Sequence, residues 1–333
     1  MRYPFPSCAE LLARTHVVAL PLHTRFRGIT VREAALVEGP AGWSEFSPFV
    51  EYSDAEAAAW LAATIDFGWD DTPTLHRSSI PVNATVPAVP ADAVAAVLAR
   101  FDACRTVKVK VAETGQQLSD DVARVEAVRR AAPDARIRVD ANGGWSVDES
   151  LQALTALQPF ELEYVEQPCR TVAELAELRR RLAGTGVLIA ADESVRRADD
   201  PLEVARAGAA DSLVIKAQPL GGIRSALAVV AEAGLPVTVS SALDTSVGLS
   251  MGAHLAAALP DLPYDCGLGT AALLATDVTD SPLLPVGGHI PVRRVEVSAD
   301  LLAAHAAAEP RAAWWRERIA RTYPLLPGSL SSH

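Results

Sequence analysis

The chain has 333 residues, half of them hydrophobic and 21% charged, with a formal net charge of −11 and a pI near 5.1. These values exclude a disordered chain, and no apolar run approaches the roughly 18 residues that a membrane span needs. The acidic balance argues against nucleic acid and against anionic membrane surfaces, which leaves a small molecule as the expected partner.

Taken in chain order, residues 1–22 hold only the short apolar stretch Val17-Val18-Ala19-Leu20 before Pro21. That is a poor match to a secretory signal, so a cytoplasmic protein is expected. Thr30–Glu38 and Trp43–Phe46 read as hairpin strands joined through Gly39-Pro40-Ala41-Gly42, and Ser53 with Glu56 supplies a capping box for a helix through Ile65. Residues 1–78 thus form an α+β element.

From there β-branched runs alternate with helical patterns. The predicted strands are Val82–Pro87, Thr106–Val111, Ile137–Ala141, Leu162–Glu166, Val187–Asp192, Ser212–Lys216, Val237–Ser241 and Tyr264–Leu268. The helices between them are Ala91–Ala103, Ser119–Ala132, Val147–Leu157, Val172–Ala183, Pro201–Ala207, Ile223–Ala233 and Ser246–Ala258. Residues 79–285 therefore read as a β/α barrel. A doubly wound sheet is the alternative, but no Gly-x-Gly-x-x-Gly turn follows an early strand. Residues 286–333 give a strand over Pro291–Val297, a helix carrying Trp314 and Trp315, and a Gly/Ser tail expected to be mobile. This end is expected to return to the N-terminal element. The fold class is α/β: a modified (β/α)7β TIM-type barrel with an α+β capping domain built from both chain ends. Cys8, Cys104, Cys169 and Cys266 stand far apart, without metal or disulfide spacing, and read as inert thiols.

Of the 30 basic residues only Lys108, Lys110 and Lys216 are lysines. Lysine differs from arginine chiefly in being able to lose its proton, so these positions suggest proton transfer, with codon bias as the plain alternative. A barrel's active site forms at the C-terminal ends of its strands. Asp140, Glu166 and Asp192 each end a predicted strand, 26 residues apart, and should stand on adjacent strands at one height. Three carboxylates suit a hard cation, Mg²⁺ with Mn²⁺ as a substitute. Lys108 and Lys110 face inward before Asp140, and Lys216 ends the strand after Asp192. Close to one another and to a metal, such lysines are expected to have lowered pKa values. Their structural alternative is to balance the carboxylates.

The set Lys108-Val109-Lys110, Val139-Asp140-Ala141-Asn142, Val165-Glu166-Gln167-Pro168, Ala191-Asp192-Glu193-Ser194 and Ile215-Lys216 resembles the enolase superfamily, in the subgroup of muconate-lactonizing enzymes and o-succinylbenzoate synthases. The resemblance implies a lyase or isomerase passing through an enediolate, a chemistry known for that superfamily and not read from spacing. It implies Asp140, Glu166 and Asp192 as metal ligands and Lys110 and Lys216 as catalytic residues flanking a small carboxylate substrate. Lys108 would tune Lys110, and Gln167 and Glu193 would cap loops behind the ligands. Arg25-Phe26-Arg27-Gly28 with Arg32-Glu33 and Gly42 to Phe49 resembles the cap of actinobacterial o-succinylbenzoate synthases. Its first four residues are the candidate lid, the alternative being a plain hairpin connection.

Arg138, Asn142, Asn83, Ser240, Ser241 and Gly267 are candidate substrate contacts, each also readable as a turn, cap or structural residue. For this subgroup the implied reaction is the dehydration step of menaquinone biosynthesis. N-acylamino acid racemisation and an inert barrel with a binding role are the alternatives. His254, within an apolar helix, reads as a core or helix-side residue, and nothing in the sequence fixes an oligomeric state.

Overall fold

The protein is described here from a computed structural model covering residues 2–196 and 200–326. A short helix, α1 (Cys8–Ala13), leads into a three-stranded antiparallel sheet of β1 (Thr15–Phe26), β2 (Ile29–Gly39) and β3 (Gly42–Phe46). The β1–β2 turn falls at Arg27 (φ 48°) and Gly28 (φ 81°), the left-handed pair that matches the twist of a tight hairpin. Strand β1 escaped prediction because the sheet is buried on both faces. Val17, Ala35 and Val37 enter one apolar cluster, while Val18, Ala34 and Leu36 enter the other. From Val17 to Leu20 consecutive residues are then all apolar, and the alternation that marks a half-exposed strand disappears there. Helix α2 (Asp54–Trp69) starts at the Ser53–Glu56 capping box and runs one turn beyond Ile65.

Two short strands, β4 (Ser79–Pro81) and β5 (Ala84–Val86), replace the predicted 82–87 strand, and helix α3 (Val94–Leu98) is only a fragment of the predicted 91–103 helix. There follow β6 (Thr106–Lys110), α4 (Leu118–Ala131), β7 (Arg136–Asp140), α5 (Val147–Leu157), β8 (Leu162–Glu166), α6 (Val172–Arg181) and β9 (Ile189–Ala191). Next come the one-turn helices α7 (Glu193–Arg196) and α8 (Glu203–Arg206), then β10 (Ser212–Ile215), α9 (Ile223–Ala233), β11 (Val237–Val239) and α10 (Ser246–Ala258). Strands β5 to β11 form one parallel sheet in sequence order.

The predicted eighth strand, Tyr264–Leu268, is not a regular strand. It makes one parallel bridge to each edge of the sheet, Val82 with Cys266 and Ser240 with Gly267, and so joins the two edges. Gly267 permits that contact, since a Cβ there would lie 2.3 Å from Ser240 Oγ.

The last strand also differs from expectation. It is β12 (His289–Pro291), antiparallel to β4, and residues 292–297 are not a strand because the three-residue β4 offers no further ladder. Helices α11 (Ala299–Ala304) and α12 (Glu309–Thr322) follow. Helix α12 lies against the N-terminal sheet: Trp315 is buried and its Nε1 donates to Glu33 Oε2 at 2.9 Å, Arg311 pairs with Glu33 at 2.6 Å, and Arg318 donates to the carbonyls of Phe49 and Tyr52. The Gly/Ser tail lies outside the described residues. All four cysteines are free, and burial pushes Cys104 and Cys266 up to about 12, as inert thiols require. His254 is buried against Phe67.

Candidate active site

Parallel pairing in register carries the predicted acids to one end of the barrel. Lys110 is opposite Asp140 and Asp140 opposite Glu166, while Asp192 and Lys216 directly follow β9 and β10. All three acids are buried, each about 1% exposed, so their charges must be met by neighbours. Lys108 Nζ donates to Glu166 Oε1 at 2.8 Å and lies 3.2 Å from Asp140 Oδ2. Lys110 Nζ donates to Asp140 Oδ2 at 2.5 Å and to Asn142 Oδ1 at 2.8 Å. Lys216 Nζ donates to both oxygens of Asp192, at 2.7 and 2.6 Å.

The electrostatics split these groups. Burial disfavours the Asp140 carboxylate, but Lys110 and Lys108 outweigh it and hold its pKa well below the usual range. For Asp192, Arg196 and Lys216 do the same. Glu166 goes the other way, pushed up to about 7 by burial and by the negative charges of Asp140 and Asp192. Burial lowers Lys216, as expected for a buried ammonium. Lys108 contradicts the expectation of lowered lysines: burial lowers it, but Glu166 and Asp140 raise it further.

The carboxylates do not close on one point; among the described residues no three His, Cys, Asp or Glu side chains stand close enough to hold an ion as placed. Each acid takes an ammonium instead. The donor set nevertheless fits a hard divalent cation. It is all oxygen, anionic and buried, and Glu166 Oε2 has no hydrogen-bond partner among the described residues although it is out of solvent.

A cavity of about 30 Å³ lies among these groups, bordered by Lys108, Lys110, Asp140, Asp192 and Lys216. Of the proposed substrate contacts, Asn142, Ser240, Ser241 and Gly267 border it. Arg138 and Asn83 do not, and for them the sequence reading is corrected. Arg138 is fully buried within the barrel, stacked over Tyr164, bonded to Glu163 at 2.5 Å, to the Asp265 carbonyl at 2.7 Å and to Asn83 Oδ1 at 3.3 Å. Its parity was inward, but it stands one inward position earlier on β7 than Asp140, where the barrel is filled by packing.

The tip of the β1–β2 hairpin reaches the site. Phe26 and Arg27 border the cavity, and Lys110 Nζ lies 5.4 Å from the Phe26 ring centre. Arg25 and Gly28 border an adjoining cleft of about 240 Å³ that shares Phe26, Arg27, Lys110 and Asn142 with the inner cavity.

Gln167 stands behind Asp192, and Glu193 stands beside Asn142. Gln167 Oε1 accepts from the Asp192 and Ser194 amides at 2.9 and 3.2 Å, and Glu193 Oε1 accepts from Asn142 Nδ2 at 3.1 Å. Arg196 was missed. Its Nε donates to Asp192 Oδ1 at 3.0 Å, and its Nη1 reaches the Tyr52 hydroxyl on the N-terminal element. Its four-residue spacing from Asp192 at a helix start was the available signal. Thr85, which also borders the cavity, shares a register position with Lys108 and was equally legible.

Residues 91–296 match the family model for enolase C-terminal domain-like proteins, and residues 17–68 that for enolase N-terminal domain-like proteins. The chain is 58% identical over 306 residues to the o-succinylbenzoate synthase of Thermobifida fusca, covering 91% of this chain and 93% of that one. It is 55% identical over 318 residues to the o-succinylbenzoate synthase of Mycobacterium marinum, covering 95% of each. Muconate lactonizing enzyme from Pseudomonas fluorescens, solved with muconolactone, matches with a TM-score of 0.74 at 20% identity, over 88% of this chain and 98% of that one, a likeness of fold. Members of this superfamily depend on a divalent metal. The chain belongs to the enolase superfamily, in the family of the o-succinylbenzoate synthases.

Proposed function

We infer that the protein is an o-succinylbenzoate synthase, a hydro-lyase converting 2-succinyl-6-hydroxy-2,4-cyclohexadiene-1-carboxylate to o-succinylbenzoate in menaquinone biosynthesis. The observation that carries this reading is 54–58% identity over nearly the whole chain to several synthases of that name. Among the described residues no helix is long and apolar enough to cross a membrane, and we place the reaction in the cytoplasm.

Asp140, Glu166 and Asp192 would hold the divalent cation, which we assign as Mg²⁺, replaceable by Mn²⁺. Bound there, it supplies positive charge to the substrate carboxylate as negative charge builds on it. Lys110 takes the proton from the carbon bearing the carboxylate. The same nitrogen, now an ammonium, returns that proton to the departing hydroxyl, so water leaves and Lys110 ends as it began. Lys216 stays protonated beside the ring and stabilises the enediolate by charge. Lys108, bonded to Glu166 and Asp140, tunes Lys110 without moving the proton. Asn142, Ser240, Ser241 and Gly267 offer contacts to the substrate, and the Arg25–Gly28 turn covers it.

A second reading, N-succinylamino acid racemase, is favoured by one observation: both Lys110 and Lys216 border the same cavity, as two opposed bases require. The purified metal-loaded enzyme should be given the cyclohexadiene substrate and, separately, N-succinylamino acids in deuterated water. Dehydration with the larger kcat/KM supports the synthase; racemisation with the larger value replaces it.

A further inference from the structure

A buried charge cluster joins the N-terminal sheet to the rim of the barrel and takes no part in the steps above. Arg32, on β2, is 3% exposed. Its Nε donates to the Leu243 carbonyl at 3.0 Å, and its Nη2 to the Ala242 carbonyl at 3.3 Å and to Ser47 Oγ at 2.9 Å. Glu45, on β3, is fully buried. One of its oxygens accepts from the Thr245 amide at 3.1 Å, the Thr245 hydroxyl at 2.6 Å and the Gly248 amide at 3.0 Å, while Ser47 Oγ donates to the other at 2.5 Å. A carboxylate from the sheet thus satisfies free amides at the start of α10, and a guanidinium from the sheet satisfies the carbonyls just before it.

Those carbonyls belong to the wall of the cavity. Ala242 and Leu243 border it beside Ser240 and Ser241, whereas neither Arg32 nor Glu45 does. Leu243 has a φ of 62°, a left-handed conformation that a branched side chain keeps only when its surroundings impose it. Gly248 makes the approach of Glu45 possible: a Cβ there would lie 2.8 Å from Glu45 Oε2 and 2.7 Å from Asp244 Cβ. Burying two charged groups is costly where an apolar contact would serve for docking alone. Arg32 bonds the carbonyls of the wall itself, Glu45 bonds the amides that follow it at Thr245 and Gly248, and Ser47 joins the two, none of it as part of a strand ladder.

We propose that Arg32 and Glu45 are positioning residues for the dehydration: from the N-terminal sheet they fix the Ala242–Leu243 wall, so that substrate affinity depends on this contact. The inference rests on the synthase reading above. It is tested on the metal-loaded enzyme with Arg32→Lys, Glu45→Gln and Ser47→Ala, measuring kcat and KM for dehydration. Val128→Ala, a buried change on α4, serves as the reference for lost stability alone.

Arg32→Lys should raise KM about tenfold, the scale of one lost charged hydrogen bond, while kcat stays within about threefold. Ser47→Ala should raise KM in the same direction by less, and Val128→Ala should lower the Tm with KM unchanged. Wild-type KM in both Arg32→Lys and Ser47→Ala overturns the proposal, as does a KM rise that Val128→Ala reproduces. If Arg32→Lys does not fold, Ser47→Ala decides. A wild-type enzyme without dehydration refutes the synthase reading itself, a result separable from variants that turn over with wild-type KM.

Discussion

The two halves of the barrel mouth use the same chemistry and reach opposite electrostatic ends. On β6 to β8, Lys108 and Lys110 share Asp140 and Glu166, two positive against two negative, and burial of Lys108 is overridden so that its proton is held more tightly. On β9 and β10, Lys216 must share Asp192 with Arg196, and burial together with that guanidinium loosens its proton. Burial acts alike on both lysines, and the carboxylates that each ammonium touches decide the direction: Lys108 lies against Glu166 and Asp140, whereas Lys216 has Asp192 and shares it with Arg196. The halves also differ in what they hold on to. Arg196 ties the Asp192 half to Tyr52 on the N-terminal element by a hydrogen bond, whereas Lys110 in the other half meets that element at the face of the Phe26 ring.

The sharpest way to break this comparison is to exchange the lysines for a group that keeps charge and cannot act as a base. Lys110→Arg should lower kcat for dehydration by roughly a thousandfold, the scale of general-base catalysis, while Lys216→Arg retains more dehydration and loses any racemisation. Equal losses in steady-state dehydration assays would erase the distinction between the two halves.

Removing one acid at a time comes next. Asp140→Asn, Glu166→Gln and Asp192→Asn should each weaken Mg²⁺ binding by at least about tenfold, read by calorimetry, with the fold kept by circular dichroism. Thorough chelation should abolish turnover and added Mg²⁺ or Mn²⁺ should restore it; full activity in metal-free protein would remove the site assignment.

A smaller effect is expected at the hairpin. Shortening the turn over Arg25–Gly28 should lower kcat/KM by about tenfold with a smaller change in Tm, because its tip borders the cavity and Phe26 alone of the four enters an apolar core. Unchanged kinetics would reduce it to a connection.

The smallest effect concerns pH. Burial and the nearby Asp244 push Glu45 up to about 7, against the pull of Arg32, Ser47 and Thr245. An acid whose folded pKa is raised contributes stability that is full below its ordinary value of 4.5 and is lost as pH rises through 7. Thermal melts from pH 4.5 to 8 should therefore show a decline that Glu45→Gln flattens. A Glu45→Gln protein with the wild-type slope would assign that decline to other groups.

How much could be read in advance follows a physical line. Asp140, Glu166, Asp192 and Lys216 were legible because a repeating βα unit turns equal spacing into equal height, and strand ends can be seen in a run of β-branched residues. Helices α5, α9 and α10 were placed to the residue, since caps and apolar periodicity act locally. Strand β1 was hidden because its inner part, Val17 to Leu20, is apolar on both faces, and the 264–268 segment could not be distinguished from a strand because one bridge on each side closes the sheet as well as a ladder would.

Arg138 shows the limit most clearly. Alternation told that it pointed inward, but depth along the barrel axis is set by the register of neighbouring strands, and that depth separates a substrate contact from a packed arginine. The sequence by itself determined the residue types, their strand ends and the donor chemistry, because these depend on covalent order and local conformation. Which cation faces which carboxylate, the reach of Arg196 to Tyr52 and of Arg32 to the Ala242–Leu243 wall were decided by tertiary structure alone. Those partners are 144 and about 210 residues apart in the chain, and only packing of the N-terminal sheet on the barrel brings them within hydrogen-bond distance.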